Sequence, residues 1–134
     1  AEYSIPLCDG NSAYENSDVK KLTDQILHAS GILLAIPIYN YDANAAAKNL
    51  IELTGKAWSQ KVVGFLCAAG GRGSYMSVMS LANSLMLDFR CLIIPRFVYS
   101  TGEAFIEGKV SDPEVEDRVN ELAKELNRIC AALH

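Results

Sequence analysis

Three short apolar runs constrain the fold of this chain more than any other feature. They are GILLAI at 31–36, KVVGFLCA at 61–68 and CLIIP at 91–95, and glycine, proline or polar residues bound them. A continuous apolar run of this length is typical of a strand buried on both faces, as in a parallel sheet. Helical segments separate the runs, so the sequence predicts a parallel α/β sheet with right-handed crossovers.

Four helical segments alternate with the runs. The last is the clearest, because Pro113 lies in its first turn and its apolar residues fall on one stripe. The stripe comprises Val115, Val119, Leu122, Leu126, Ile129 and Leu133. The four expected helices cover 18–30, 44–54, 74–88 and a C-terminal stretch that begins near Pro113.

Polar residues mark the expected caps and loops. We expect residues 1–16 and 96–111 to form loops, because neither stretch shows periodicity. The expected helix caps are, in chain order, Ser17 or Asp18, then Gly55, then the pair Ser111 and Glu114, which resembles a capping box.

Composition limits the classes of partner and location. The 134 residues fit one domain, and their net charge of −4 disfavours nucleic acid or an anionic membrane as a partner. No apolar stretch approaches the roughly 20 residues of a membrane span. Cys8, Cys67, Cys91 and Cys130 form no CxxC pair, which argues against zinc and fits the reducing cytoplasm. Cys67 and Cys91 are expected in the core.

Two loops follow the first two predicted strands, where parallel α/β sheets bind ligands. Each runs into a helix N-terminus, which offers unpaired N–H groups and a partial positive charge. The loops would face one crevice and form a candidate binding site. Its candidate residues are Pro37, Tyr39, Asn40, Tyr41 and Asp42 in the first loop, and Gly70, Gly71 and Gly73 in the second.

Structural roles compete with this interpretation. Asn40 and Asp42 are also residues that shape turns and cap helices, and Tyr39 and Tyr41 could pack over the sheet edge. The segment GGRGS does not match GxGxxG, and the chain contains no GxxxxGK[ST]. No catalytic triad is recognisable, so any difficult chemistry belongs to a bound cofactor.

The segment PIYNYDANAAAKNLIE (37–52) resembles the P-E-Y-N-…-K-N-x-I-D segment of the NAD(P)H-dependent FMN reductases, a flavodoxin-like family. The glycine loop AGGRGS (69–74) resembles that family's second flavin loop. The resemblance covers about 17–133 and implies a flavodoxin-like three-layer sandwich with a parallel sheet. Ile38 stands where the family often has Glu, and Asn44 and Ala45 replace its usual Pro-Gly.

The resemblance implies a flavoprotein enzyme with no catalytic side chain, and the cysteine pattern predicts a cytoplasmic protein without a metal site. FMN would bind at the candidate residues, and NADPH or NADH would reduce it. Hydride would then pass to a small-molecule electron acceptor such as flavin or a quinone. Family members are commonly homodimers or homotetramers, and the many apolar residues of the 74–88 helix also indicate a homo-oligomer.

One family element is expected to be missing. The family begins with a strand, a serine-rich phosphate loop and a helix, and residues 1–16 are too short and polar to hold them. We therefore expect 1–134 to be a single flavodoxin-like domain without this N-terminal unit. The 31–36 strand would then lie at an edge or pair with a segment outside this sequence.

Two other functions remain open from the sequence. A non-enzymatic flavodoxin-like electron carrier would hold FMN but would not turn over NAD(P)H by itself. A partner-binding α/β module with a degenerate site would stay colourless when FMN is added.

Overall fold

A computed structural model describes residues 2–133 and contains a mixed, mostly parallel sheet flanked by helices. The main sheet has the order β2-β1-β3-β4, and β5 continues beside β3 beyond β4. Within this sheet only β2 runs antiparallel to its neighbour, and β6 and β7 form a separate antiparallel hairpin. The strands are β1 (Gly31–Tyr39), β2 (Asp42–Ala43), β3 (Val62–Ala69), β4 (Leu92–Ile93), β5 (Val98–Thr101), β6 (Phe105–Ile106) and β7 (Lys109–Val110).

Helices cover both faces of this sheet. Three of them pack on one face, where Ile26, Ile51 and Leu85 join the sheet residues Val63 and Phe65 in the larger core. The last helix covers the other face and contributes Leu122 to a smaller core. The α-helices are α1 (Ser17–His28), α2 (Ala45–Thr54), α3 (Met79–Phe89) and α4 (Pro113–Leu133). The predicted α/β sandwich is therefore confirmed.

The register of β1 on β3 brings the strand ends together. The two strands pair in parallel from Gly31 opposite Val62 to Ile38 opposite Ala69. β5 then pairs with the last part of β3, with Thr101 opposite Ala69. The carboxyl ends of all three strands therefore lie at one edge of the sheet.

The structure corrects the predicted helix starts. Asn16 caps α1, because its side-chain oxygen accepts from the amides of Asp18 and Val19; neither Ser17 nor Asp18 is the cap. At α4, Asp112 accepts from the amide of Glu114, while the Ser111 hydroxyl donates to another backbone carbonyl. Short polar side chains compete for such positions, so neighbouring candidates are hard to separate by sequence. Gly55 does end α2, as predicted.

Other boundaries also differ from the prediction. The helix expected over 74–88 is a 3₁₀ segment over Arg72–Val78 followed by α3. The strand expected at 91–95 is only two residues long, and β5 and the β6–β7 hairpin lie in the expected loop 96–111. On α4, the apolar stripe packs as predicted except for Leu133, which is exposed.

One side chain of α2 makes two hydrogen bonds to the N-terminal segment. The Asn49 amide nitrogen donates to the carbonyl of Pro6 at 2.9 Å, and its oxygen accepts from the Cys8 amide at 2.8 Å. A short 3₁₀ helix over Ser12–Glu15 follows, and it is the only helix before α1 in the described part of the segment. Over residues 2–16 the predicted loop is otherwise correct, and residue 1 lies outside the described residues.

The two edges of β1 differ in their pairing. Residues 31–36 pair with β3 on one side, and no strand among residues 2–133 pairs with their other edge. Cys67 and Cys91 are buried as predicted, and burial raises the pKa of the Cys67 thiol to about 11. Within residues 2–133, no helix is both long and apolar enough to cross a membrane.

Candidate functional site

A cavity of about 910 Å³ lies at the carboxyl ends of β1, β3 and β5. This is the edge at which open parallel α/β sheets bind their ligands. The β1–β2 turn forms one wall and the loop after β3 forms another. Fourteen residues line the cavity: Pro37, Ile38, Tyr39, Asn40, Tyr41, Ala68, Ala69, Gly70, Gly71, Gly73, Ser74, Thr101, Gly102 and Phe105.

The first wall is a tight hairpin, residues 39–42, which we call the tyrosine hairpin. Tyr39 pairs with Asp42, and the two residues between them both have positive φ, 51° at Asn40 and 62° at Tyr41. Such a two-residue turn matches the twist of the flanking strands. Asn tolerates the left-handed region, whereas a tyrosine there is strained. The turn leaves two aromatic side chains at the surface, since Tyr39 and Tyr41 are 63% and 73% exposed.

The second wall is the glycine loop, residues 70–74, and β5 holds it in place. The Tyr99 hydroxyl donates to the carbonyl of Gly71 and lies 2.7 Å from the hydroxyl of Ser74. The ring of Tyr99 also contacts Tyr75 edge-on, with centroids 5.5 Å apart. Tyr99 of β5 therefore holds the glycine loop, which follows β3, in its conformation.

The glycine loop leaves open space in front of its backbone. A Cβ atom added at Gly70 or Gly71 would meet no atom within 4 Å, while one at Gly73 would lie 3.4 Å from the Tyr41 hydroxyl. The cavity thus has a floor of bare backbone and a tyrosine that closes over one end of it. These walls fit a flat ring such as the isoalloxazine of FMN, because a planar apolar face can approach uncovered backbone closely.

The cavity wall is electrically neutral, since none of its fourteen residues has a charged side chain. Asp42, although it belongs to the tyrosine hairpin, does not line the cavity. Its Oδ1 accepts from the Ser80 hydroxyl at 2.7 Å and from the amide of Ala43 at 2.8 Å. It therefore ties the hairpin to α3. The Asn44 amide donates a hydrogen bond to the carbonyl of Pro37, so both the Ala43 and the Asn44 amides already have acceptors within the protein.

Seven of the eight predicted site residues lie around this one cavity, and Asp42 is the exception. Sequence analysis missed the contribution of β5, which supplies Thr101, and of Gly102 and Phe105 just after it. Sequence analysis predicts a loop here, although Val98, Tyr99 and Thr101 are residue types that favour strands and could have indicated a further strand end. Within residues 2–133, no group of histidine, cysteine or acidic residues could hold a metal ion.

Known proteins resemble this chain in sequence. It is 26% identical over 123 residues to an NADPH azoreductase from Bacillus sp. (strain OY1-2), a match that covers 88% of this chain and 69% of the azoreductase. The family model for NADPH-dependent FMN reductases matches residues 1–105.

Solved structures share the fold at low sequence identity. An oxidoreductase from Corynebacterium diphtheriae superposes with a TM-score of 0.73 at 17% identity, over 87% of this chain and 64% of that one. A flavoenzyme NAD(P)H:(acceptor) oxidoreductase from Paracoccus denitrificans gives a TM-score of 0.67 at 23% identity, over 96% and 72%. This chain therefore spans about two thirds of the length of these structures. Because the family model matches most of its residues, the chain belongs to the NADPH-dependent FMN reductase family.

Proposed function

We propose that this chain forms the flavin-facing part of an oxidoreductase that passes hydride from NADPH or NADH through FMN to a small-molecule acceptor, such as flavin or a quinone. The observation that carries the proposal is the neutral, glycine-floored cavity at the carboxyl ends of β1, β3 and β5. Its position, its open backbone and the family of the chain all favour a flavin ring at this place.

The cavity residues would divide the work of binding the ring. The backbone of Gly70 and Gly71 would lie against one face, and Tyr39 and Tyr41 would shield the ring from water. The side chain of Asn40 offers both a donor and an acceptor for a polar ring edge. When bound, FMN would supply the hydride chemistry, and these residues would position the ring and exclude water.

The phosphate of FMN needs an anchor that the cavity does not provide. A phosphate carries one to two negative charges, and no positively charged side chain lines this cavity. Beside the cavity lies the edge of β1 that no strand among residues 2–133 pairs with. A further strand could pair there, and the loop after that strand would bind the FMN phosphate. We keep this segment, the single-domain organisation and the cytoplasmic location as predictions.

The visible spectrum of the protein, produced from its complete reading frame, tests the proposed function. An oxidoreductase of this kind should be yellow or take up added FMN, and NADPH or NADH should bleach it without air. A flavodoxin-like carrier would bind FMN but would not be bleached by either nucleotide. If the protein is still colourless after incubation with excess FMN and removal of the free FMN, it is a partner-binding module and the proposal is wrong.

A further inference from the structure

A second cavity, of about 630 Å³, lies between α4 and the segment that links β4 to β5. It shares no wall residue with the flavin cavity. Its floor is apolar: Ile94 and Leu122 are buried, and the Phe97 ring stacks on Tyr75 with centroids 4.7 Å apart. A flat aromatic group would find both an apolar floor and ring faces here.

The rim of this cavity is rich in positive charge. Arg96, Arg118, Lys124 and Arg128 line it, against the carboxylates Glu121 and Glu125. The whole chain carries a net charge of −4, so this concentration of cations runs against its overall balance. We call the site the arginine cavity.

Two of the cations are not held by ion pairs. Arg128 bonds Glu125, with its Nε at 2.8 Å, and Arg118 bonds Glu114 at 2.6 Å. Arg96 and Lys124 make no salt bridge within residues 2–133. Surface ion pairs contribute little, so even the paired arginines can turn to an anionic ligand at small cost.

The backbone at Arg96 is a further feature of the arginine cavity. Its φ is 61°, in the left-handed region that arginine rarely adopts. Strained backbone of this kind is found preferentially at ligand sites. Here the strain lies in the segment that lines the cavity, between Pro95 and Phe97.

We propose that the arginine cavity binds a nucleotide, with its base on the Tyr75–Phe97 aromatic floor and its phosphate at Arg96 and Lys124. Bases stack on aromatic side chains, and arginine is well suited to phosphate because its fork of N–H groups can bind two oxygens. Neither feature alone would specify a nucleotide; the cavity combines both.

This nucleotide could have two sources, the adenosine half of NAD(P)H or a free nucleotide. A third cavity links the two sites, because it shares Thr101 with the flavin cavity and shares Tyr75 and Arg118 with the arginine cavity. A donor could therefore reach from one site to the other along the surface. Only this first source rests on the proposed function.

Calorimetric titration of the complete protein with 2′,5′-ADP tests the proposal, with adenosine as the uncharged control. We expect 2′,5′-ADP to bind at least tenfold more tightly than adenosine and to weaken as salt rises. Equal affinities, or no binding of 2′,5′-ADP at millimolar concentration, would overturn the site.

Arg96→Gly and Arg90→Gly form a matched pair of variants. Arg90 also has a left-handed φ, 56°, but ends α3 and does not line the arginine cavity. Both changes remove one charge and suit the backbone, so both proteins should fold. We expect Arg96→Gly to lower the affinity for 2′,5′-ADP about tenfold and Arg90→Gly to leave it unchanged. Retained affinity in Arg96→Gly, or an equal loss in both, would contradict the proposal.

Competition separates the two sources. If 2′,5′-ADP displaces NADPH, the cavity takes the adenosine half of the donor; if both bind together, it takes a free nucleotide. FMN titration of Arg96→Gly keeps the two hypotheses apart, because loss of nucleotide binding with normal FMN affinity concerns the arginine cavity alone. Absence of FMN binding in the unchanged protein would refute only the proposed function.

Discussion

The hydroxyl of Tyr99 donates a hydrogen bond to the backbone carbonyl of Gly71 and so joins β5 to the glycine loop. The same oxygen lies 2.7 Å from the Ser74 hydroxyl, so one side chain bonds two points of the loop. No charged side chain of the loop lines the cavity. Tyr99 is therefore a positioning residue for the candidate flavin site.

Removal of this hydroxyl should loosen the loop without opening the core. We expect Tyr99→Phe to lower the affinity for FMN several-fold and the free energy of unfolding by about 1–3 kcal/mol, because two hydrogen bonds of about 0.5–1.5 kcal/mol each are lost. The matched control is Tyr75→Phe, since Tyr75 belongs to the same aromatic group. FMN titration and urea unfolding of both variants measure this, and equal FMN affinities in the two would refute a positioning role.

The open space at Gly71 makes a second change informative. A valine at Gly71 meets no protein atom at its Cβ, and the φ of −164° suits any residue. We therefore expect Gly71→Val to fold with nearly unchanged stability and yet to weaken FMN binding by more than about 1.4 kcal/mol, a tenfold change. Calorimetric titration with FMN gives the affinity, and thermal unfolding shows whether the variant is intact. Unchanged affinity in a folded variant would remove the glycine loop from the site.

The strained Tyr41 predicts an opposite response of stability and binding. Glycine adopts a φ of 62° without strain, and the Tyr41 side chain is mostly exposed. Tyr41→Gly should therefore leave the free energy of unfolding unchanged or raise it by at most about 1 kcal/mol. The same change removes the ring that closes over Gly73, and FMN affinity should fall. Asn40→Gly is the control, because asparagine already tolerates this conformation. A clear loss of stability in Tyr41→Gly would show that the turn is not strained.

The elements that sequence analysis predicted well are those that local pattern determines. β1 and β3 are apolar runs of eight or nine residues, and α4 has one long apolar stripe, so burial and periodicity identified them. The two-residue β2 exists through pairing with β1, which no local pattern specifies. β4 lies inside the predicted run 91–95, but only two of its residues pair with β3. Sequence analysis also did not predict the tyrosine hairpin, because Tyr41 adopts a backbone conformation that its residue type disfavours.

The candidate site followed the same division. Strand ends and glycines identified the two loops, because the carboxyl edge of a parallel sheet is a general binding position. The bracing by Tyr99 and the turn of Asp42 toward Ser80 join residues 25 to 38 positions apart in the chain. Such contacts follow from tertiary packing, and the sequence carries no local signal for them.

Exposed apolar residues near α3 predict self-association. Met76, Met86 and Leu87 are 62%, 38% and 84% exposed, whereas Leu81 and Leu85 of α3 face the core. We expect a homo-oligomer that buries this surface, and we expect Leu87→Lys to weaken it. Leu7→Lys is a matched control, because Leu7 is 82% exposed but lies in the N-terminal segment. Light scattering at micromolar concentration measures the mass, and a monomeric unchanged protein would contradict the prediction.

The free edge of β1 leads to the last prediction. The strand is the longest of the sheet, and from Gly31 to Pro37 it pairs only with β3 among the described residues. Unpaired backbone groups beside an apolar sheet are costly when buried and adhesive when exposed. An apolar cavity of about 440 Å³, lined in part by Ala35, Pro37 and Val119, lies next to this strand on the α4 side.

A further strand along this edge, followed by a helix over the apolar cavity, would satisfy both features. We therefore expect slow deuterium exchange at every second amide of 31–36, the set that points away from β3, in the protein from the complete reading frame. These amides should exchange as slowly as those of the central strand β3. Exchange measured by NMR distinguishes the individual amides. Within minutes, unpaired edge amides would lose their protons, because no hydrogen bond protects them. Such rapid exchange, confined to this set while β3 remains protected, would show that β1 is a true edge and that no strand completes the sheet there.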